Sequence, residues 1–299
     1  MSAVFRPRRS LLYMPAANPR ALEKARALPA DGLIIDLEDA VAPEAKEGAR
    51  AIVAAALSAG GYGSRELVLR VNPLDTPWGH ADLAAAATMP IEAVLLPKVE
   101  SADRVRLTVS LLDTLGAPER LAAWCMIETP LGVLAAREIA AASPRLAAFV
   151  LGTSDLTKEL HALATRDRLP LITSLGLVML AARAFGLAIL DGVHLDLSDE
   201  EGFAVSCRQG RELGFDGKTL IHPKQIAPAN LAYAPSTEEI EWSRQVIAAH
   251  AEAGAAGKGV VVVDGKLIEG LHVENARRLL ALAEEIDRIT SVDTREHAV

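Results

Sequence analysis

The stretch Ala122-Ala123-Trp124-Cys125-Met126-Ile127-Glu128-Thr129-Pro130-Leu131-Gly132 is an apolar run with strand propensity that ends on an acid, followed by a stop and a new helix start. A charge left at the end of a buried strand costs roughly several kcal/mol unless a cation or hydrogen-bond donors meet it. Glu128 therefore requires a partner, and the strand-to-helix switch beside it defines a βα unit.

The same unit recurs along the chain. Strands are predicted at Ser10–Met14, Gly32–Glu38, Glu66–Asn72, Ala93–Val99, Ala123–Glu128, Ala147–Gly152, Leu187–Val193 and Lys218–His222. Helix patterns are predicted at Pro19–Ala27, Pro43–Ser58, Gly79–Ala87, Ala102–Leu115, Leu131–Ala141, Thr173–Phe185, Asp199–Leu213 and Lys224–Ala232. Eight strands, each followed by a helix, predict an α/β fold of the (β/α)8 TIM-barrel type. Beyond it, Thr237–Ala256 reads as an Ala-rich helix, Gly259–Gly270 as a short β-ribbon turning at Asp264-Gly265, and Val273–Ile289 as a final helix. The expected domains are a catalytic barrel over residues 1–233 and an extension over 234–299 that covers an active site, its own or a neighbouring subunit's.

Composition narrows the function. The 299 residues are 51% hydrophobic but only 4% aromatic, so the core is aliphatic. A net charge of −8 argues against a nucleic-acid partner. Cys125 and Cys207 are too few for a disulfide framework or a zinc site. No signal-type segment follows the basic N-terminus, and no apolar run approaches the ~18 residues of a membrane span. A soluble cytoplasmic protein with no membrane partner is expected.

In a barrel the chemistry belongs at the C-terminal strand ends. Those ends carry Asp36-Leu37-Glu38-Asp39, Arg70-Val71-Asn72, Lys98-Val99-Glu100, Glu128, Gly152-Thr153-Ser154-Asp155, Asp191 with His194, and His222. Crowded carboxylates raise one another's pKa unless a cation neutralises them. Oxygen ligands without Cys or paired His point to Mg²⁺, with Mn²⁺ as the alternative. Glu128 and Asp155 are one unit apart, so both can ligate one ion. Arg70, always charged and forked, is the group to stabilise an oxyanion beside it. Taken singly, each has a plainer alternative: Asp155 as a helix cap, Arg70 with Glu128 as a structural ion pair, and the acids from Asp36 to Asp39 as a strand end with a solvated loop.

Asp36-Leu37-Glu38-Asp39-Ala40-Val41, Arg70-Val71-Asn72 and Gly152-Thr153-Ser154-Asp155-Leu156, together with Arg8-Arg9-Ser10-Leu11-Leu12-Tyr13-Met14-Pro15, Leu96-Pro97-Lys98, Met126-Ile127-Glu128-Thr129-Pro130 and Gly217-Lys218-Thr219-Leu220-Ile221-His222-Pro223, resemble the citrate lyase β-subunit-like proteins. That group stands with the malyl-CoA and citramalyl-CoA lyases in the HpcH/HpaI aldolase superfamily. The resemblance covers almost the whole chain. It implies a TIM barrel and Mg²⁺ on Glu128 and Asp155. It also implies catalytic roles for Arg70, Glu269, Asp36 and Glu38, and substrate or CoA contacts at Arg70, Arg9, Lys24, Pro130, Gly152 and Thr153. The implied reaction is cleavage or formation of a short 3-hydroxyacyl-CoA, such as malyl-, citramalyl- or citryl-CoA, giving an acyl-CoA and a 2-oxo acid. The implied assembly is a homotrimer or hexamer. One position departs from the pattern: the family's aspartate acid/base in a Gly-x-x-[Ile/Val]-Asp segment is Glu269 here, in Gly265-Lys266-Leu267-Ile268-Glu269. The alternatives are an aldolase acting on free 2-oxo acids and a non-catalytic subunit.

Overall fold

The computed structural model describes residues 6–296. The chain divides into two compact units, Arg8–Tyr233 and a second that runs from Ala234 and includes Arg6 and Pro7.

In the first unit, β1 (Ser10–Pro15), β2 (Gly32–Asp36), β3 (Glu66–Arg70), β4 (Ala93–Leu96), β5 (Ala122–Ile127), β6 (Leu146–Leu151), β7 (Ala188–Asp191) and β8 (Gly217–Leu220) form a closed parallel barrel in sequence order. The expected TIM-barrel architecture is thus the one observed. Strands buried on both faces read as continuous apolar runs because alternate residues serve two layers. Leu11, Ile34, Val68, Leu95, Trp124, Met126, Val150 and Leu190 fill the barrel interior. Leu12, Leu33, Leu69, Val94, Cys125, Phe149 and Ile189 face the surrounding helices. Cys125 is buried packing, as its apolar surroundings predict.

The helices are α1 (Pro19–Ala25), α2 (Lys46–Ser58), α3 (Gly79–Ala86), α4 (Ala102–Thr114), α5 (Pro130–Leu134), α6 (Ala136–Ala140), α7 (Thr153–Glu159), α8 (Ile172–Ala184), α9 (Glu200–Leu213) and α10 (Ile226–Tyr233). Two differences from the sequence reading matter. The single helix predicted over Leu131–Ala141 breaks at Ala135, whose ψ of 4° interrupts the helical path. A short helix, α7, which the periodicity does not signal, begins immediately after Gly152 and carries Asp155.

The second unit holds α11 (Thr237–Ala255), β9 (Val261–Val263), β10 (Lys266–Ile268) and α12 (Gly270–Glu296). A reciprocal capping box between Ser236 and Glu239 starts α11. The β9–β10 pair is antiparallel. It turns at Asp264-Gly265, with φ of 47° and 75°, the left-handed pair that a two-residue hairpin demands. Val246, Ile268, Val273 and Ala276 make a small apolar core of their own. No helix among the described residues is long and apolar enough to cross a membrane.

Candidate active site

Asp36 and Arg70 are register partners at the ends of β2 and β3. Both keep the parity of the inward residues Ile34 and Val68, so both point into the barrel mouth. The guanidinium forks onto the carboxylate, Nε donating to Oδ1 at 2.7 Å and Nη2 to Oδ2 at 2.6 Å. Asp36 also accepts from the Glu38 and Ala40 backbone N–H groups at 2.9 Å each. Its oxygens are thereby committed, and Asp36 acts as the anchor that aims Arg70. Below the guanidinium lies the Tyr13 ring, with the Arg70 carbon 4.9 Å from its centroid. Arg70 Nη1 lies 2.9 Å from Glu38 Oε2. Burial opposes the Arg70 charge, but the Asp36 hydrogen bonds hold its pKa above the ordinary value.

Glu38 is buried, and its Oε2 completes no hydrogen bond despite the nearby Arg70 charge. Burial raises its carboxyl pKa; Arg70 opposes the rise and Asp39 adds to it. Lys98 Nζ stands 3.5 Å from Glu38 Oε1.

Glu128, only 2% exposed, directly follows β5. Its Oε1 accepts the Lys98 backbone N–H at 2.7 Å. Lys98 has a left-handed φ of 49° just where it makes this bond. On the other side, a Cβ at Gly152 would lie 2.3 Å from both the Glu128 Cβ and Oε2. Glycine is therefore what lets the β6 end approach Glu128. Burial pushes the Glu128 carboxyl up to about 7, with Glu38 and Asp155 adding to the rise while the Lys98 N–H and Arg70 oppose it.

Asp155 occupies the first turn of α7, whose N-cap Gly152 offers no side chain. Asp155 does not cap the helix: its carboxylate makes no hydrogen bond and no ion pair among the described residues. Nor do Arg70 and Glu128 form the structural pair open to them, since Arg70 is committed to Asp36. Thr129 caps α5 by accepting from Gly132 N, and Pro130 takes the first helical position. Next to Lys98 and Thr129 a cleft of about 510 Å³ opens over the ends of β3, β4 and β5.

Two expectations require correction. Arg9 precedes β1, at the barrel end opposite this rim, and is buried in a bidentate pair with Asp31 at 2.9 and 2.7 Å. It cannot reach a CoA phosphate at the rim. Asp191 does not face the rim either: it binds Lys218 Nζ at 2.8 Å, both fully buried. His222 caps the turn after β8 through Nδ1, accepting from Lys224 N. Thr153 is buried at the start of α7, and Lys24 is exposed in the last turn of α1. Glu269 belongs to the second unit, where its backbone N–H donates to His272 Nδ1 at 3.0 Å.

Sequence reasoning missed the support beneath Glu38. Lys46 Nζ, buried, donates to Leu37 O, Glu38 O and Asn72 Oδ1 at 2.9, 2.7 and 2.7 Å. Asn72 Nδ2 in turn donates to Asp82 at 2.6 Å, and Arg50 completes the chain at 3.0 Å. The signal was available: Lys46 lies on the buried stripe of α2 with Ala49, Val53 and Leu57.

The donor set suits a hard divalent cation. Among the described residues no three His, Cys, Asp or Glu side chains gather as an enclosing cage. Two carboxylates with room for water and substrate oxygens match the way Mg²⁺ is usually held.

The sequence pattern described as HpcH/HpaI aldolase/citrate lyase matches residues 9–223. The chain is 50% identical over 280 residues to a (3S)-malyl-CoA thioesterase of Cereibacter sphaeroides, covering 94% of this chain and 96% of the relative. It is 38% identical to the citrate lyase subunit beta of Leuconostoc mesenteroides subsp. cremoris, covering 93% and 94%. Among solved structures, the CitE protein of Mycobacterium tuberculosis in complex with magnesium, acetoacetate and coenzyme A is similar at a TM-score of 0.76. It is 33% identical, and the match covers 95% of this chain and all of that one. The M. tuberculosis citrate lyase beta subunit complexed with oxaloacetate and magnesium superposes at 0.64 with 33% identity, covering 77% and 98%.

Proposed function

We propose that this chain, an enzyme that belongs to the HpcH/HpaI aldolase/citrate lyase family, is a Mg²⁺-dependent carbon–carbon lyase acting on a short 3-hydroxyacyl-CoA. The observation that carries the reading is the rim itself: a buried Glu128 carboxyl pushed up to about 7 beside an unpaired Asp155, with the charge of Arg70, forked onto Asp36, near enough to oppose that rise. Glu128 and Asp155 would hold the ion, which supplies a positive charge that polarises the 2-hydroxy acid end of the substrate.

The chain's own residues account for the rest. Arg70, aimed by Asp36 and seated on Tyr13, has its Nη1 2.9 Å from Glu38 Oε2 and would turn that group to the substrate carboxylate on binding. Glu38 Oε2, a buried oxygen without a hydrogen-bond partner, takes the proton of the 3-hydroxyl. The carbonyl then forms at that carbon, the carbon–carbon bond breaks, and its electron pair passes to the thioester α-carbon. Glu269, from the C-terminal segment of a second copy in a trimer or hexamer, protonates that carbon to release the acyl-CoA.

A second reading is hydrolysis of the same thioester, in which water adds at the carbonyl, the carbon–sulfur bond breaks and the thiol leaves protonated. It is favoured by the thioesterase relatives at 50% identity. A glutamate at position 269, one methylene longer than the family's aspartate, also places a base differently.

Product analysis separates the readings. Purified protein is incubated with malyl-, citramalyl- and citryl-CoA, each with Mg²⁺ and with EDTA. Acyl-CoA and a 2-oxo acid, formed only with Mg²⁺, are the expected result. Free CoA with the intact hydroxy acid (malate, citramalate or citrate) would establish hydrolysis. Full turnover in EDTA would overturn the metal assignment.

A further inference from the structure

Outside the barrel mouth, one cluster of buried charge has no part in the chemistry above. Asp191 ends β7 but follows the inward-facing Leu190, so its side chain turns outward beneath α9 and α10. Lys218 Nζ meets its Oδ2 at 2.8 Å, and Arg168 Nη1 meets Oδ1 and Oδ2 at 2.7 and 2.8 Å. Asp191 and Lys218 are both wholly buried. Two cations are thus set on one anion in a dry layer, an arrangement that burial penalises.

Arg168 arrives there from the connector that follows α7, in a left-handed conformation with φ of 53°. A non-glycine residue in that region is strained and persists only where its surroundings fix it. They do so here: Nε donates to Gln209 Oε1 at 2.7 Å, and Gln209 Nε2 returns a bond to Asp167 O at 2.5 Å. At the near end of the connector, Ala162 N donates to Thr157 O at 3.0 Å, which ties the connector back onto the helix.

The other end of α7 is reached through the same aspartate. Asp191 Oδ1 accepts the Gly192 N–H at 2.8 Å. A Cβ at Gly192 would lie 2.3 Å from Thr153 Oγ1, so the backbone there abuts the first residue of α7. Asp155 stands two residues further on.

We propose that the Asp191–Lys218–Arg168 cluster is a positioning device for the metal site: it stakes α7 at both ends and thereby sets Asp155 against Glu128. Arg168 is a positioning residue, and the inference rests on the proposed role of Asp155 as a ligand. Tethers of this kind behind metal ligands are worth about 10–100-fold in metal affinity.

The test uses the full chain carrying Arg168→Met, which leaves Asp191 paired with Lys218. Mg²⁺ affinity is measured by calorimetry without substrate, and amide hydrogen exchange across α7 is followed in EDTA. The expected result is Mg²⁺ binding weakened about 10–100-fold, faster exchange in α7, and partial recovery in Arg168→Lys, which keeps the charge but not the fork. Should Arg168→Met fail to fold, Gly192→Ala loads the other end of α7 and is expected to give the same pair of changes. A folded variant with unchanged Mg²⁺ affinity and unchanged α7 exchange overturns the proposal. If the unsubstituted protein itself binds no Mg²⁺, the metal reading fails, while the exchange arm still decides whether the cluster stakes α7.

Discussion

The two ends of the barrel handle charge in opposite ways. At the N-terminal end, Arg8 forks onto Glu66 at 2.7 and 2.8 Å and Arg9 onto Asp31 at 2.9 and 2.7 Å. Each cation there has its own anion. At the C-terminal rim, Asp36, Glu38, Asp39, Glu128 and Asp155 face only Arg70 and Lys98 among the described residues. One end is electrostatically closed, and the other is short of positive charge in a buried setting. Matched pairs stabilise a fold; an unmatched set of acids stores a demand that a cation can meet. The contrast implies that charge changes at the bottom cost stability and that those at the rim cost function.

The sharpest break of this contrast is Glu128→Gln. Removing a ligand charge while keeping the side chain's shape is expected to lower turnover at least ~10³-fold and to abolish the Mg²⁺ binding signal in calorimetry. Thermal unfolding in EDTA is expected to show no loss of stability. A variant that unfolds readily would place Glu128 among the structural charges instead.

Arg9→Met is the counterpart at the closed end. It strands Asp31 without its fork, and breaking a buried pair from one side costs about 3–5 kcal/mol. Urea denaturation is expected to register that loss. Turnover per folded molecule and the KM for the CoA thioester are expected to stay unchanged, because Arg9 lies at the end away from the rim. A raised KM would restore the phosphate contact that the resemblance implies.

The same contrast explains how far the sequence could be read. The strands were legible because burial on both faces leaves unbroken apolar runs. Asp36, Arg70 and Glu128 were legible because they sit at strand ends. Asp191 sits at a strand end too, yet it faces outward, since it follows an inward leucine where Glu128 lies two residues beyond inward Met126. Position along a strand was enough to find the rim; parity was needed to decide which face. Arg9 misleads for a related reason, since a residue before a parallel strand belongs to the opposite end. Helix α7 gives no signal because its seven residues begin inside Gly-Thr-Ser, which reads as a loop, and no periodicity emerges from so short a segment. The buried stripe of α2 marks Lys46 as enclosed, but its partner Asn72, like the partner Asp191 of Lys218, comes from another segment and cannot be read locally.

Titration offers a measurement that separates the two ends without any substitution at the closed one. Burial raises the Glu128 carboxyl from 4.5 to about 7. A raised folded-state pKa contributes stability that is fully present below about 4.5 and is lost as pH rises through about 7. In EDTA, the unsubstituted protein is therefore expected to lose roughly 3 kcal/mol relative to Glu128→Gln between about pH 5 and 8. Urea midpoints across that range check it. Parallel curves for the two proteins would mean that the rim is not short of positive charge.

The smallest expected effect concerns a charge that belongs to neither end's buried set. Lys24 is exposed and without an ion pair among the described residues. If it meets the CoA phosphates, it does so across water, where a single charge is worth about 0.2–1 kcal/mol and is screened by salt. Lys24→Ala is accordingly expected to raise the KM for the CoA thioester by no more than about fivefold. The value of kcat is expected to hold, and the difference from the unsubstituted protein is expected to vanish at high ionic strength. A KM effect that survives high salt would mean that Lys24 is drawn into a desolvated contact when the thioester binds. A fall in kcat would tie it to the buried rim, and the division between stabilising and functional charge would then extend along α1.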